Sequence, residues 1–150
     1  MLKIEFIDDA DSLEGIGNLI HLRYLALGGY TDLPLPIVNL KNLQTLDISK
    51  LHGFRSKREL NTLNQLKELR HLYLPVEEVY GWKIVSVRHM KLKTLWNAVG
   101  GDWMLSGMSH LSAVLQELRI HGIKSREQLR AVFTTPVSYT HLTLPTNREV

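Results

Sequence analysis

The stretch LKNLQTLDI, from Leu40 to Ile48, decides how this chain folds. Its last apolar pair, Leu46 and Ile48, is separated by one polar residue. That alternation reads as a short strand with both apolar side chains on one face and the residues between them on the other. The same wording, LxxLxxLxL, returns on either side of it. LIHLRYLAL covers Leu19 to Leu27 and LKELRHLYL covers Leu66 to Leu74. Shorter copies are LKTLWN, Leu92 to Asn97, and LQELRI, Leu115 to Ile120, and the opening LKIEFI fits as an earlier copy whose front is missing.

With Ile4, Leu25, Leu46, Leu72, Leu95 and Leu118 taken as the first member of each closing pair, the spacings are 21, 21, 26, 23 and 23 residues. A period of about 20–29 residues is that of the leucine-rich repeat. The expected fold is therefore α/β: a leucine-rich-repeat solenoid shaped as a horseshoe arc. A parallel β-sheet lines its concave face, and the convex side is irregular or helical. About six partial or full copies fill residues 1–133. Each strand stacks about 4.8 Å from the next, and no repeat buries its apolar face without its neighbours. Apolar positions returning along the convex side are expected to close the core. They are Leu13, Ile16, Leu19, Leu33, Leu35, Ile37, Leu40, Leu60, Leu63 and Leu66. In GDWMLSGMSHL they are Trp103, Met104, Leu105, Met108 and Leu111 at near-helical spacing. SREQLRAVF opens on Ser125 as an N-cap and offers Leu129, Val132 and Phe133. Neither end carries a polar capping repeat, so the chain is expected to be a piece of a longer array.

Composition fits this picture. Of 150 residues, 44% are hydrophobic and 22% charged, so a core is expected over most of the length. The net charge of +3 is too small, and the basic residues too scattered, to point to a nucleic acid. The densest basic group, Arg55, Lys57 and Arg58, reads as a solvated loop. Cysteine is absent, as is any Asn-x-Ser/Thr acceptor; the first ten residues carry acids, and no apolar run approaches the ~20 residues of a bilayer span. A cytoplasmic location without a membrane span is expected.

The residues between the inward leucines name the working surface. One column holds Lys3, Tyr24, Thr45, His71, Thr94 and Glu117. A second holds Glu5, Ala26, Asp47, Tyr73, Trp96 and Arg119, and a third Ile7, Gly28, Ser49, Pro75, Ala98 and His121. Tyr73, Trp96 and Arg119 fall side by side, and aromatic and arginine residues are frequent interface anchors. Asp47 and Glu117 would add charge at the rim. The candidate partner-binding set is thus Tyr24, Asp47, His71, Tyr73, Trp96, Glu117 and Arg119. The alternative is that Trp96 covers an irregular repeat from within. The longest spacing places an insertion near Lys50 to Leu60, a second candidate contact loop.

Catalytic and cofactor motifs are not evident. GIGNLI, from Gly15 to Ile20, has Ile20 where a dinucleotide fingerprint needs its third glycine, and reads as a turn. The sequence holds no P-loop, and its seven histidines form no HExxH. His71 and Glu117 share a column two repeats apart, too far for direct proton exchange. The chain is not expected to be an enzyme or to bind a metal or cofactor.

GNLIHLRYLAL followed by LPLPIVNLKNLQTLDI, with LNQLKELRHLYL, GDWMLSGMSHL and LQELRIHGIKSREQLRAVF, closely resembles plant intracellular immune receptors of the nucleotide-binding, leucine-rich-repeat class. The likeness is nearest to the coiled-coil type of cereal disease resistance proteins and covers about residues 1–133. The resemblance implies effector sensing, directly or through a guarded host protein. It also implies autoinhibitory packing on the receptor's own nucleotide-binding domain. ADP and ATP are expected only in that domain, whose sequence is not present. The family's asparagine after the strand is replaced by Tyr30, Leu51 and Glu77, so irregular turns are expected. The alternative reading is the substrate-recognition repeat domain of an F-box ubiquitin-ligase adaptor. After Phe133, TTPVSYTHLTLPTNREV departs from the family pattern and resembles translated adapter or linker read-through. Residues 134–150 are therefore set apart, with a seventh strand around Leu142 and Leu144 as the alternative.

Overall fold

A computed structural model describes residues 1–30, 33–52, 63–75, 91–99, 105, 114–134 and 141–143. Among these, seven strands form one sheet: β1 (Leu2–Ile7), β2 (Tyr24–Tyr30), β3 (Thr45–His52), β4 (His71–Tyr73), β5 (Thr94–Val99), β6 (Glu117–His121) and β7 (His141–Thr143). They lie in sequence order and every neighbouring pair is parallel. Parallel neighbours require a crossover after every strand. Two crossovers contain 3-10 helices, Ala10–Asn18 and Leu35–Asn39, and a 9-residue α-helix, α1 (Arg126–Thr134), follows β6. The arrangement is mixed α/β and compatible with a leucine-rich-repeat fold.

The leucine pattern is explained twice over. Along β2 to β6 the first inward leucines pair in register: Leu25 with Leu46, Leu46 with Leu72, Leu72 with Leu95 and Leu95 with Leu118; the backbone of Leu118 pairs in turn with that of Leu142 in β7. Leu25, Leu46, Leu72, Leu95 and Leu118 are at most 2% exposed. Before β2, β3 and β4 the leucines stand at every third place because the backbone runs there in successive i→i−3 turns. Leu22 N donates to Leu19 O, Leu43 N to Leu40 O and Leu69 N to Leu66 O, at 2.9–3.2 Å. A turn with three residues per revolution puts every third side chain on one edge. Repeats are then laced together by shared acceptors. The N–H groups of Gln44 and Thr45 donate to Arg23 O, those of Arg70 and His71 to Gln44 O, those of Lys93 and Thr94 to Arg70 O, and those of Gln116 and Glu117 to Lys93 O.

Several expectations change. LKIEFI offers two frames, and the structure takes the earlier one: Leu2, not Ile4, pairs with Leu25, and Ile4 pairs with Leu27. Phe6, which the other frame would turn inward, is 88% exposed at φ 63°. Lys3 consequently faces Ala26 and joins the second column. In the third column Ile7, Pro75 and Ala98 are buried and do not face outward, and register shifts intervene after Ala26 and after Leu95. Leu19 (44% exposed) and Leu35 (67%) do not close the core, although Leu40, at Leu19's place in the next repeat, is fully buried. Leu35 follows the Pro34 N-cap, where the short 3-10 helix turns it away from Ile37. Leu105 and Phe133 are also exposed, whereas Leu129 is half-buried and Val132 fully buried. Leu60, Trp103, Met104, Met108 and Leu111 lie outside the described residues.

The GIGN turn is the 3-10 helix itself, capped by Asp9, whose Oδ1 accepts from Asp11 N at 3.0 Å. A Cβ at Gly17 would stand 3.0 Å from Pro36 Cβ and Pro36 O, so glycine there lets the two 3-10 helices touch. Ser125 caps α1 as expected: Gln128 N donates to Ser125 Oγ at 3.1 Å, and Gln128 Oε1 accepts from Lys124 N at 3.1 Å. β7 realises the seventh strand within residues 134–150. Of the insertion at 50–60, Lys50, Leu51 and His52 extend β3; the rest lies outside the described residues.

Candidate functional site

The outward residues of β3 to β6 gather into one continuous strip. Asp47 pairs in register with Tyr73, and Tyr73 with Trp96. The Tyr73 and Trp96 rings meet edge to face, centroids 4.9 Å apart at 79°. The Arg119 guanidinium carbon lies 3.4 Å from the Trp96 ring centroid, a stacked cation–π contact. Tyr73, Trp96 and Arg119 are half-buried, so Trp96 lies on the solvent side of the sheet and does not plug a repeat from within. The register could be read from the repeat period, but the stacking of Arg119 on the indole could not.

The adjoining column holds His71, Thr94 and Glu117, each in register with the next. His71 Nδ1 and Thr94 Oγ1 are 3.0 Å apart. Burial holds the His71 imidazole below the usual histidine range, and the positive charges of Lys93 and Arg70 act the same way against a weaker pull from Glu117. The two strand steps between His71 and Glu117 keep that pull weak. Burial likewise pushes the Tyr73 phenol above its usual range, helped by the negative charges of Glu117 and Asp47. Glu117 Oε1 stands 3.8 Å from Arg119 Nη2, an ion pair beyond hydrogen-bond length.

Tyr24 and Asp47 belong to a different feature, a recess of about 200 Å³ on the β1–β3 side of the same face. It is lined by Lys3, Tyr24, Ala26, Gly28, Asp47 and Lys50, among others. Beside Tyr24, β2 contributes the small residues Ala26 and Gly28 to this lining. Glu5 Oε1 sits between two ammonium groups, 2.9 Å from Lys3 Nζ and 3.1 Å from Lys50 Nζ, which holds the Glu5 carboxyl below the usual range. Asp47 Oδ1 accepts from both Ser49 N, at 3.0 Å, and Ser49 Oγ, at 2.6 Å. The seven predicted residues thus divide. His71, Tyr73, Trp96, Glu117 and Arg119 form a ridge, Tyr24 and Asp47 line the recess, and Asp47 touches both by its register.

Sequence reasoning missed the asparagines that tie repeats together. Asn42 Nδ2 donates to Ile20 O and Asn97 Nδ2 to Leu74 O, both at 2.8 Å. Asn97 sits at φ 62°, a left-handed conformation asparagine tolerates better than most residues. Their signal lies in the asparagines of LKNL and LWN, before and within the strand, not at the family's position after it. Among the described residues, no three His, Cys, Asp or Glu side chains are grouped to hold a metal. No helix among them is long and apolar enough to cross a membrane.

No family model matches the chain. It is similar to Arabidopsis thaliana proteins that carry the name of disease resistance proteins. One is 34% identical over 107 residues, 70% of this chain and 12% of the relative. The probable disease resistance protein RF45 is 39% identical over 84 residues, 55% of this chain and 8% of that protein. The disease resistance RPP13-like protein 3 is 32% identical over 138 residues, 90% of this chain and 15% of that protein. The chain therefore spans well under a fifth of the length of the relatives it matches.

Proposed function

We propose that this chain is a leucine-rich-repeat solenoid segment of a plant intracellular disease resistance protein, acting in defence by binding protein partners through the Tyr73–Trp96–Arg119 ridge. In the parent protein, cytoplasmic on this reading, the partner is a pathogen effector or a guarded host protein. The repeats also rest against the protein's own nucleotide-binding domain and restrain it. The role is binding, with no chemistry of its own. The observation that carries this reading is the ridge. Three large side chains from three successive strands are packed into one rigid strip, with polar groups around it, as interface anchors commonly are. The relatives' names weigh for the defence reading over the ubiquitin-ligase adaptor.

The test is a binding screen of the chain against a panel of pathogen effectors and host proteins, repeated with Trp96→Ala. A true partner loses on the order of 2 kcal/mol or more of affinity with that variant, measured by calorimetry. Partners that bind both forms equally would sink the ridge as the contact surface.

A further inference from the structure

The hydrogen-bonding state of the outward face says more about the partner. Resting on the reading of the ridge as a docking strip, we infer that its partner presents a carboxylate side chain to Arg119, beside an apolar residue that packs on Tyr73 and Trp96. Two N–H donors of the ridge, Trp96 Nε1 and Arg119 Nε, are buried and have no acceptor among the described residues. Both groups are donors that cannot accept, so what they lack is an acceptor.

The acids of the same face do not supply it. Asp47 Oδ1 is held by Ser49, and Glu5 Oε1 by Lys3 and Lys50. Glu117 is 3.8 Å from Arg119 Nη2 and leaves Nε unanswered. The shortfall on the ridge is therefore one of acceptors. The Arg119 side chain remains 43% exposed, so an incoming group can reach the guanidinium from solvent. A carboxylate matches the planar fork with two parallel hydrogen bonds, which a single carbonyl oxygen cannot. Turning the guanidinium toward it draws Arg119 off the indole face. The cleared indole is open to an apolar side chain, and its N–H to a backbone carbonyl of the same segment.

A displayed random-peptide library selected on the immobilised 150-residue chain tests this. Enriched peptides are synthesised with their Asp and Glu intact and again as Asn and Gln, and titrated against wild type, Arg119→Gln, Arg119→Lys and Trp96→Ala. Melting curves confirm that each variant folds. The expected result is enrichment of acidic residues near an aliphatic or aromatic one. Affinity should fall about tenfold or more, both with Arg119→Gln and with the neutralised peptide, and Arg119→Lys should recover only part of it. Peptides that depend on Trp96 yet bind Arg119→Gln as tightly as wild type overturn the carboxylate inference and leave the docking strip standing. Peptides indifferent to both positions, or no enrichment at all, overturn both.

Discussion

Strands β3 to β6 each carry two adjacent residues that obey opposite rules. In β3 to β6 the inward residues are Leu46, Leu72, Leu95 and Leu118, one amino acid repeated and each nearly or fully buried. One place further on, the outward residues are Asp47, Tyr73, Trp96 and Arg119, no two alike. The two columns ride on the same strands, and apart from the register shift after Leu95 they differ chiefly in what each side chain must meet. The inward column meets copies of itself, and a single shape that packs on itself suffices. The outward column meets solvent and whatever lands there, and nothing in the stack requires it to repeat. Regularity in this chain is therefore the mark of the fold, and departure from regularity along the same strands marks the surface available for function.

The widest gap between the columns is expected at neighbouring positions of β4. Leu72→Ala removes a side chain 2% exposed and leaves a cavity, at a cost of about 2–5 kcal/mol by chemical denaturation. Tyr73→Ala, on the same strand, forfeits the edge-to-face contact with Trp96 and should cost about 0.5–1.5 kcal/mol. Equal losses would show that the ridge holds the fold together and that the two columns are not separate in purpose.

That same asymmetry governs what could be read from the sequence. The inward column was legible because alternation and period both mark it, and the parallel order of the strands follows from the period. The phase of β1 was not, because Leu2, Ile4 and Phe6 offer two frames of equal spacing, and only the packing of Leu2 and Ile4 on the core separates them. Leu19 and Leu40 occupy equivalent places in the wording, yet one is 44% exposed and the other fully buried, a difference the repeat pattern does not record. On the outward face, adjacency of Tyr73, Trp96 and Arg119 followed from counting. The recess did not, since it comes from what Ala26 and Gly28 lack. The unanswered N–H groups of Trp96 and Arg119 depend on side-chain rotation, to which spacing is blind.

Away from the strands, local devices can sharpen the contrast. Ser125 fixes the start of α1 by accepting from Gln128 N. Ser125→Ala should cost about 0.5–2 kcal/mol, less than an inward leucine, and should fray the helix that buries Val132. Helical circular dichroism and the denaturation midpoint report both effects; an unchanged midpoint would mean that α1 adds nothing to the stack.

His71 tests whether the outward face is neutral toward folding. Its imidazole is held below its ordinary value of 6.5, chiefly by burial. The unfolded chain therefore binds this proton more readily than the folded one. The stabilising contribution is complete above about 6.5 and is lost as pH falls below it toward the depressed folded value. Melting temperature should decline on mild acidification, and His71→Gln should flatten part of that decline. An identical slope in the variant would remove His71 from the account. With the side chain half-buried and solvent near, the effect should be smaller than that of the helix cap.

The smallest effect belongs to the exposed cluster beside the recess. Glu5 binds Lys3 and Lys50 at about 3 Å, yet all three side chains stand largely in water. Holding two long lysines against one carboxylate costs side-chain freedom that the screened attraction scarcely offsets. Glu5→Gln should leave the melting temperature unchanged within error at physiological salt, and raising the salt should not separate the variant from wild type. A clear drop would mean that charges on the outward face help set the register of β1 against β2. The division between a repeating column that folds the chain and a varied column free for binding would then hold only from β3 onward.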